Sequence, residues 1–179
     1  MPRASFDAEA LLRAAVRGEG ACRAFPIRID REGTWHYQGS RIDRLPLVQL
    51  FASVLQRAED GGHWLITPGE QGRIEVEDAP FTAVELAREG SGTGQTLRFR
   101  TNLEEWVTLN AAHPLRLANA EAGAVVPYLS VRGRLEARIT RPVFYELVEL
   151  AEPAPEGGGM IGVWSEGSFF ALGQADDQA

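Results

Sequence analysis

The chain predicts an α+β fold made of two related strand–helix–strand halves with curved antiparallel sheets. Three observations carry that expectation. Short runs alternate apolar and polar residues with a period of two, separated by Gly- and Pro-bearing turns. Two segments with helical apolar spacing interrupt them, each with a Pro in its first turn. The passage from Trp35 to Phe81, which holds the first of these helices, has a fainter echo after residue 128: YQGSRIDRLPLVQL (37–50) sits beside VRGRLEARITRPVFYEL (131–147). In each, Gly precedes apolar residues, a Pro and an apolar helix. A Gly-rich loop and a Trp-bearing strand follow, GGHWLIT in the first half and GGGMIGVWS in the second. Such self-similarity reads as one copied unit.

Residues 6–17 read as a short helix capped by Ser5. Asp7 and Glu9 suit its positive end, and Leu11, Leu12, Ala15 and Val16 make its apolar stripe. Gly18 and Gly20 stop it. Cys22 to Pro26 reads as irregular. IRID (27–30) and WHYQG (35–39) form a hairpin closed by residues 31–33, with Trp35 and Tyr37 on one face and His36 and Gln38 on the other. Gly39-Ser40 turns the chain into a helix over 44–58, which buries Leu47, Leu50, Phe51, Val54 and Leu55. HWLIT (63–67), RIEVEDA (73–79) and residues 81–86 are strands, and GSGTG (90–94) is a flexible loop. TLRFRTN (96–102) points Leu97, Phe99 and Thr101 one way and Arg98, Arg100 and Asn102 the other. WVTL (106–109) and LRLA (115–118) follow. PYLSVRG and RLEARI (127–139) then read as one strand bulged at Gly133. A helix over 142–150 turns Val143, Leu147, Val148 and Leu150 inward, and MIGVWS with SFFALG closes the fold as a hairpin. The expected division is a lead-in at 1–24, halves at 25–90 and 91–173, and a frayed tail at 174–179.

Composition narrows function mainly by exclusion. A net charge of −7 opposes a broad nucleic-acid surface, which needs clustered positive charge. All 18 basic residues are Arg, so Schiff-base, P-loop and kinase lysines are excluded. Cys22 stands alone and cannot form an intrachain disulfide, which suits a reducing compartment. No apolar run approaches the roughly 20 residues of a membrane span. The expectation is a cytoplasmic protein that needs no membrane and no cofactor.

The run GTWHYQGSRIDRLPLVQLFASVL, WLITPGE, IEVEDAPFTAV, FRTN, HPLRL, PYLSVRGRLEARITRPVFYELVELA and VWSEGSFFALG, in that order, resembles the bacterial domain of unknown function 1285. The resemblance covers about Phe25 to Gly173. It implies a duplicated α+β fold whose C-terminal half is superficially like a pleckstrin-homology domain. It also implies a ligand site where the halves meet, for a nucleotide-like molecule, and a role in signalling. It implies no activity. The family tends to carry Lys where this chain has Gln71.

Among the residues themselves, the arginines draw most interest. Arg41 follows the first Gly turn, Arg132 and Arg134 flank the second, and Arg98 and Arg100 share a strand face with Asn102. Brought together, they would cradle a phosphate or carboxylate, with Trp35, Tyr37 and Trp106 available to stack on a base. The opposing reading pairs these arginines with the abundant Asp and Glu and puts the aromatics in the core. The expected function is a non-enzymatic binding module for an anionic or nucleotide-like small molecule, placed between the halves. A protein-interaction or homodimerisation module using open sheet edges is the alternative. A metal-assisted hydrolase built on Glu75, Glu77 and Asp78 ranks third. His36, His63 and His113 lack paired ligand spacing, no nucleophile elbow is present, and the Gly90–Thr96 run lacks the lysine of a phosphate loop.

Overall fold

The computed structural model describes residues 7–18, 23–119 and 125–174. These form three α-helices, one short 3-10 helix (Gly92–Gly94) and fifteen strands in two compact units. The first holds residues up to Pro80 together with Gly133–Leu135; the second holds the rest. The α+β class holds, and strands dominate.

In the first unit, α1 (Ala8–Val16) is capped by Asp7, whose Oδ1 accepts from the Ala10 amide at 2.9 Å. Ser5, the expected cap, lies outside the described residues, as do Gly20 and Cys22. Strand β1 (Arg23–Ile29) then runs through the stretch expected to be irregular. It pairs with β2 (Trp35–Tyr37) in the expected hairpin, and Asp30 organises the turn by accepting from the amides of Glu32 and Thr34. Gln38 and Gly39, both at positive φ, make a tight turn into β3 (Ser40–Arg41), where a direct entry into helix was expected.

Helix α2 (Leu45–Ser53) stops well short of residue 58, because Leu55 is fully buried in an extended pairing opposite Leu65. Strand β4 (Leu55–Arg57) therefore occupies the end of the expected helix. The buried face of α2 is also rotated. Val48 and Ala52 are buried, Phe51 stacks on Trp35, and Leu50 is 61% exposed. Strands β5 (His63–Ile66) and β6 (Gln71–Val76) complete the sheet, in the order β3-β2-β1-β6-β5-β4.

The second unit repeats that plan. Its strands are β7 (Phe81–Glu89), β8 (Thr96–Thr101), β9 (Trp106–Thr108), β10 (Leu115–Asn119), β11 (Val125–Arg132) and β12 (Leu135–Ile139). Their order is β10-β11-β12-β7-β8-β9. Numbered from one within each unit and read from the matching edge, both sheets run 3-2-1-6-5-4. In both, the first and last strands lie side by side at the centre as a parallel pair, β1 with β6 and β7 with β12, among antiparallel neighbours. The duplication thus shows in strand order, while the helices differ. α2 follows the third strand of its unit, whereas α3 (Arg141–Glu149) follows the sixth.

Two expectations give way here. Gly133, at φ +52°, begins a turn between two strands and does not bulge a single one. The boundary between the halves lies at 80/81 rather than 90/91, because β7 pairs with β8 and β12 of the second sheet. In α3, Val143 and Leu147 are buried, and Val148 is partly exposed. The closing hairpin, β14 (Met160–Ser165) and β15 (Ser168–Gln174), forms a three-stranded sheet with β13 (Glu152–Pro153). The GSGTG loop is tied down: the Glu166 amide donates to the Gln95 carbonyl and the Gly167 amide to the Thr93 carbonyl.

Candidate functional site

The arginines singled out in the sequence fall in different units and are matched by carboxylates. Arg41 pairs with Asp43 at 3.0 Å in the first unit. In the second, Arg98 pairs with Glu89 and lies over the Trp106 ring, and Arg100 donates to Glu85 at 2.6 Å. Arg132 donates to Glu105 at 2.9 Å and covers the Phe81 ring. Arg134, grouped with the first unit, donates to Glu59 at 2.9 Å. Asn102 accepts from the Thr82 amide through its side chain. Trp35 is fully buried against Phe51, so it presents no face for stacking, while Tyr37 is exposed. The structure brings Arg98 and Arg100 together with Trp106 on neighbouring strands β8 and β9.

A different feature was missed in the sequence. In the first sheet the parallel seam is broken. Ala24 pairs with Arg73 and Arg28 with Glu75, so β1 spends residues 25–27 where β6 spends only Ile74. Pro26 lies inside this bulge, where its missing N–H takes nothing from the ladder. The Pro26 carbonyl turns to the other neighbour and accepts from the Gln38 amide at 2.8 Å. In the second unit the corresponding seam keeps register through residues 81–83 and 137–139.

A cleft of about 490 Å³ opens at the break, lined by residues 24–28, 61–63 and 73–76. That volume lies within the range of small-molecule sites. By pleat alternation, Arg28, Arg73 and Glu75 share one face of the sheet. The same face carries Trp64, which packs with Leu12 and Ala15 of α1. Arg73 lies against the Gly61-Gly62 turn; a Cβ on Gly62 would come within 3.3 Å of its Nη2. No carboxylate among the described residues pairs with Arg73. Asp60, the nearest to that turn, accepts from the Gly62 amide. Arg28 pairs with Glu77, and Glu75, its cross-strand neighbour, has no ion-pair partner among the described residues.

His63 borders the cleft and is buried, with no hydrogen-bond partner for Nε2. Burial pushes its pKa down to about 4, and the charges of Arg57 and Arg73 add to the shift. The imidazole is therefore neutral at neutral pH. Among the described residues no group of His, Cys, Asp and Glu is arranged to hold a metal, and Glu75 and Glu77 are divided between the cleft and Arg28. No described helix is long and apolar enough to cross a membrane.

Comparison with known proteins gives a family and no activity. The model described as "Domain of unknown function (DUF1285), N-terminal domain" matches residues 20–79, and "Protein of unknown function (DUF1285), C-terminal domain" matches residues 80–172. The chain belongs to the DUF1285 family. Along the chain the family domains divide at 79/80, one residue from the division of the structural units at 80/81. A crystal structure of a DUF1285 family protein from Silicibacter pomeroyi DSS-3 is 40% identical and superposes with a TM-score of 0.80, covering 88% of this chain and 84% of that one. A DUF1285 family protein from Shewanella baltica OS155 is 25% identical with a TM-score of 0.56, covering 70% of this chain and 91% of that one. Among curated proteins none matches. Gln71 begins β6 on the strand face that carries Arg73 and Glu75.

Proposed function

We propose that this DUF1285 chain is a non-catalytic binding module for a small ligand bearing a phosphate or carboxylate, held in the cleft of the first unit. The observation that carries this is the Arg73 guanidinium, unpaired among the described residues, beside a break in the parallel seam. A fork of N–H donors without a counterion suits an oxyanion, and a bulge that opens a sheet commonly re-aims side chains at a site. Of the residues expected from sequence, the five arginines and Asn102 are engaged, Trp35 is buried, and Tyr37 and Trp106 keep exposed rings; the proposed site therefore moves from Arg41, Arg98, Arg100, Arg132 and Arg134 to Arg73.

The test is a thermal-shift and calorimetric screen with nucleotides, sugar phosphates and carboxylic acids, since binding to the folded state raises its stability. A hit lost in Arg73→Ala and kept in Arg100→Ala supports the cleft. The reverse pattern returns the site to the second unit. A flat response across the panel refutes ligand binding.

A protein-interaction role has one observation in its favour. Trp106 is 44% exposed on β9, an edge strand of the second sheet. Light scattering of the wild type and Trp106→Ser tests it, and a concentration-independent monomer in both removes the homodimer reading.

A further inference from the structure

Resting on that reading of the cleft, we infer that the ligand is a zwitterion of the α-amino-acid class, with its anion on Arg73 and its ammonium on Glu75. Both residues line the cleft, and both lack a partner among the described residues. Each has a natural counterion that is engaged elsewhere. Arg28, directly across the ladder from Glu75, gives its guanidinium to Glu77. Asp60, whose Oδ1 flanks the same position on Gly62 as Arg73 Nη2, spends that oxygen on the Gly62 amide and forms no ion pair with Arg73.

Arg73 and Glu75 are two residues apart on one strand, so their Cα atoms stand about 6.6 Å from each other on the same face. They form no ion pair across that gap. A small molecule carrying both charges on neighbouring atoms can satisfy the two at once, each in a charge-assisted contact of about 2.8 Å. A polyanion such as a nucleoside triphosphate would set its charge against Glu75, so the carboxylate acts as a selector as well as a partner. The neutral His63 adds no positive charge to the cleft that would favour a second anionic group.

The experiment uses the full chain and titrates the twenty standard amino acids, each also as its N-acetyl derivative, with inorganic phosphate and AMP alongside. The expected result is at least one free amino acid that binds about tenfold or more tightly than its N-acetyl form, the cost of losing one charged hydrogen bond. Glu75→Gln should close that gap by weakening the free amino acid, while Arg73→Ala should abolish both. Unchanged urea midpoints for the two variants, whose side chains are exposed, show that folding is intact. If N-acetyl acids, phosphate or AMP bind as well as any free amino acid, the zwitterion is wrong and the anion site stands. If nothing in the series binds, the zwitterion is again wrong; the wider anion reading then falls only if the nucleotide and sugar-phosphate screen is also flat.

Discussion

Gly72 offers the most direct physical test of how the cleft is built. It lies in β6 next to Arg73, and the Phe25 ring from the bulge of β1 packs over it. A Cβ at this position would stand 2.3 Å from Phe25 Cε2 and 2.4 Å from Cδ2. Ordinary carbon contacts are about 3.5–4.0 Å, so in Gly72→Ala the ring must retreat by more than about 1 Å. Gly72 is not at positive φ, so the backbone accepts alanine. Overpacking of this kind costs about 1–3 kcal/mol, and stiffening the unfolded chain offsets about 0.4–1 kcal/mol. The net loss should be about 1–2 kcal/mol. With a urea slope of about 2 kcal/mol/M, the midpoint falls by roughly 0.5–1 M at constant slope. In a Phe25→Ala background the same substitution should be neutral or slightly stabilising, because the clash is gone and the entropic gain remains. Additive effects of the two substitutions would refute the close approach, and with it the bulged geometry that opens the cleft.

Three further outcomes follow from particular contacts. His63 has a folded-state pKa of about 4 against 6.5, so below pH 6.5 the unfolded chain takes up a proton that the folded chain refuses. Stability should fall between pH 6.5 and 4 by up to about 3 kcal/mol, and His63→Leu should flatten that slope in urea titrations. Asp30 accepts from His36 Nε2 at 2.8 Å and from two turn amides. Burial alone would raise its pKa, but these bonds and the His36 charge leave it lowered from 3.8; its contribution is present above pH 3.8 and lost as pH falls through the lower folded value. Asp30→Asn should cost about 1–2 kcal/mol at pH 7. Leu147→Ala, at a fully buried position, should cost about 2–5 kcal/mol, while Leu50→Ala, on the exposed side of α2, should stay within about 0.5 kcal/mol.

Where one physical signal dominated, the sequence was legible. The alternation of TLRFRT survives intact in β8, with Leu97, Phe99 and Thr101 buried, because one face of that strand is core and the other is wet. Pro46 and Pro142 mark helix starts correctly, since each sits where a missing N–H is harmless. Legibility failed where two periods coincided. Leu47, Leu50, Phe51, Val54 and Leu55 fit a helical stripe, yet Leu55 belongs to a strand whose partner is ten residues further on; tertiary pairing overrode local spacing. The arginines failed for a related reason. Sequence shows which face each occupies, but the carboxylate opposite, such as Glu85 across from Arg100 or Glu89 near Arg98, is set by register. For the cleft a signal existed. Pro26 interrupts the run RAFPIRI, and a Pro within a central strand implies a bulge.

The shared strand order sharpens what that bulge means. Two sheets with the same connectivity, 3-2-1-6-5-4, place a parallel pair at the centre of each. A continuous central seam is the cheaper state, because every buried amide and carbonyl finds a partner. The second unit has that state at residues 81–83 and 137–139. The first gives it up at residues 25–27, places a proline there and leaves Arg73 and Glu75 without counterions among the described residues. Had the break been only a tolerated accident, the neighbouring charges would be expected to close on each other, as Arg28 and Glu77 do a few residues away. Their separation next to an open cleft is a departure from the common plan that stability alone does not account for. Departures of that kind concentrate at functional sites, and here the chain carries one beside the cleft of the first unit.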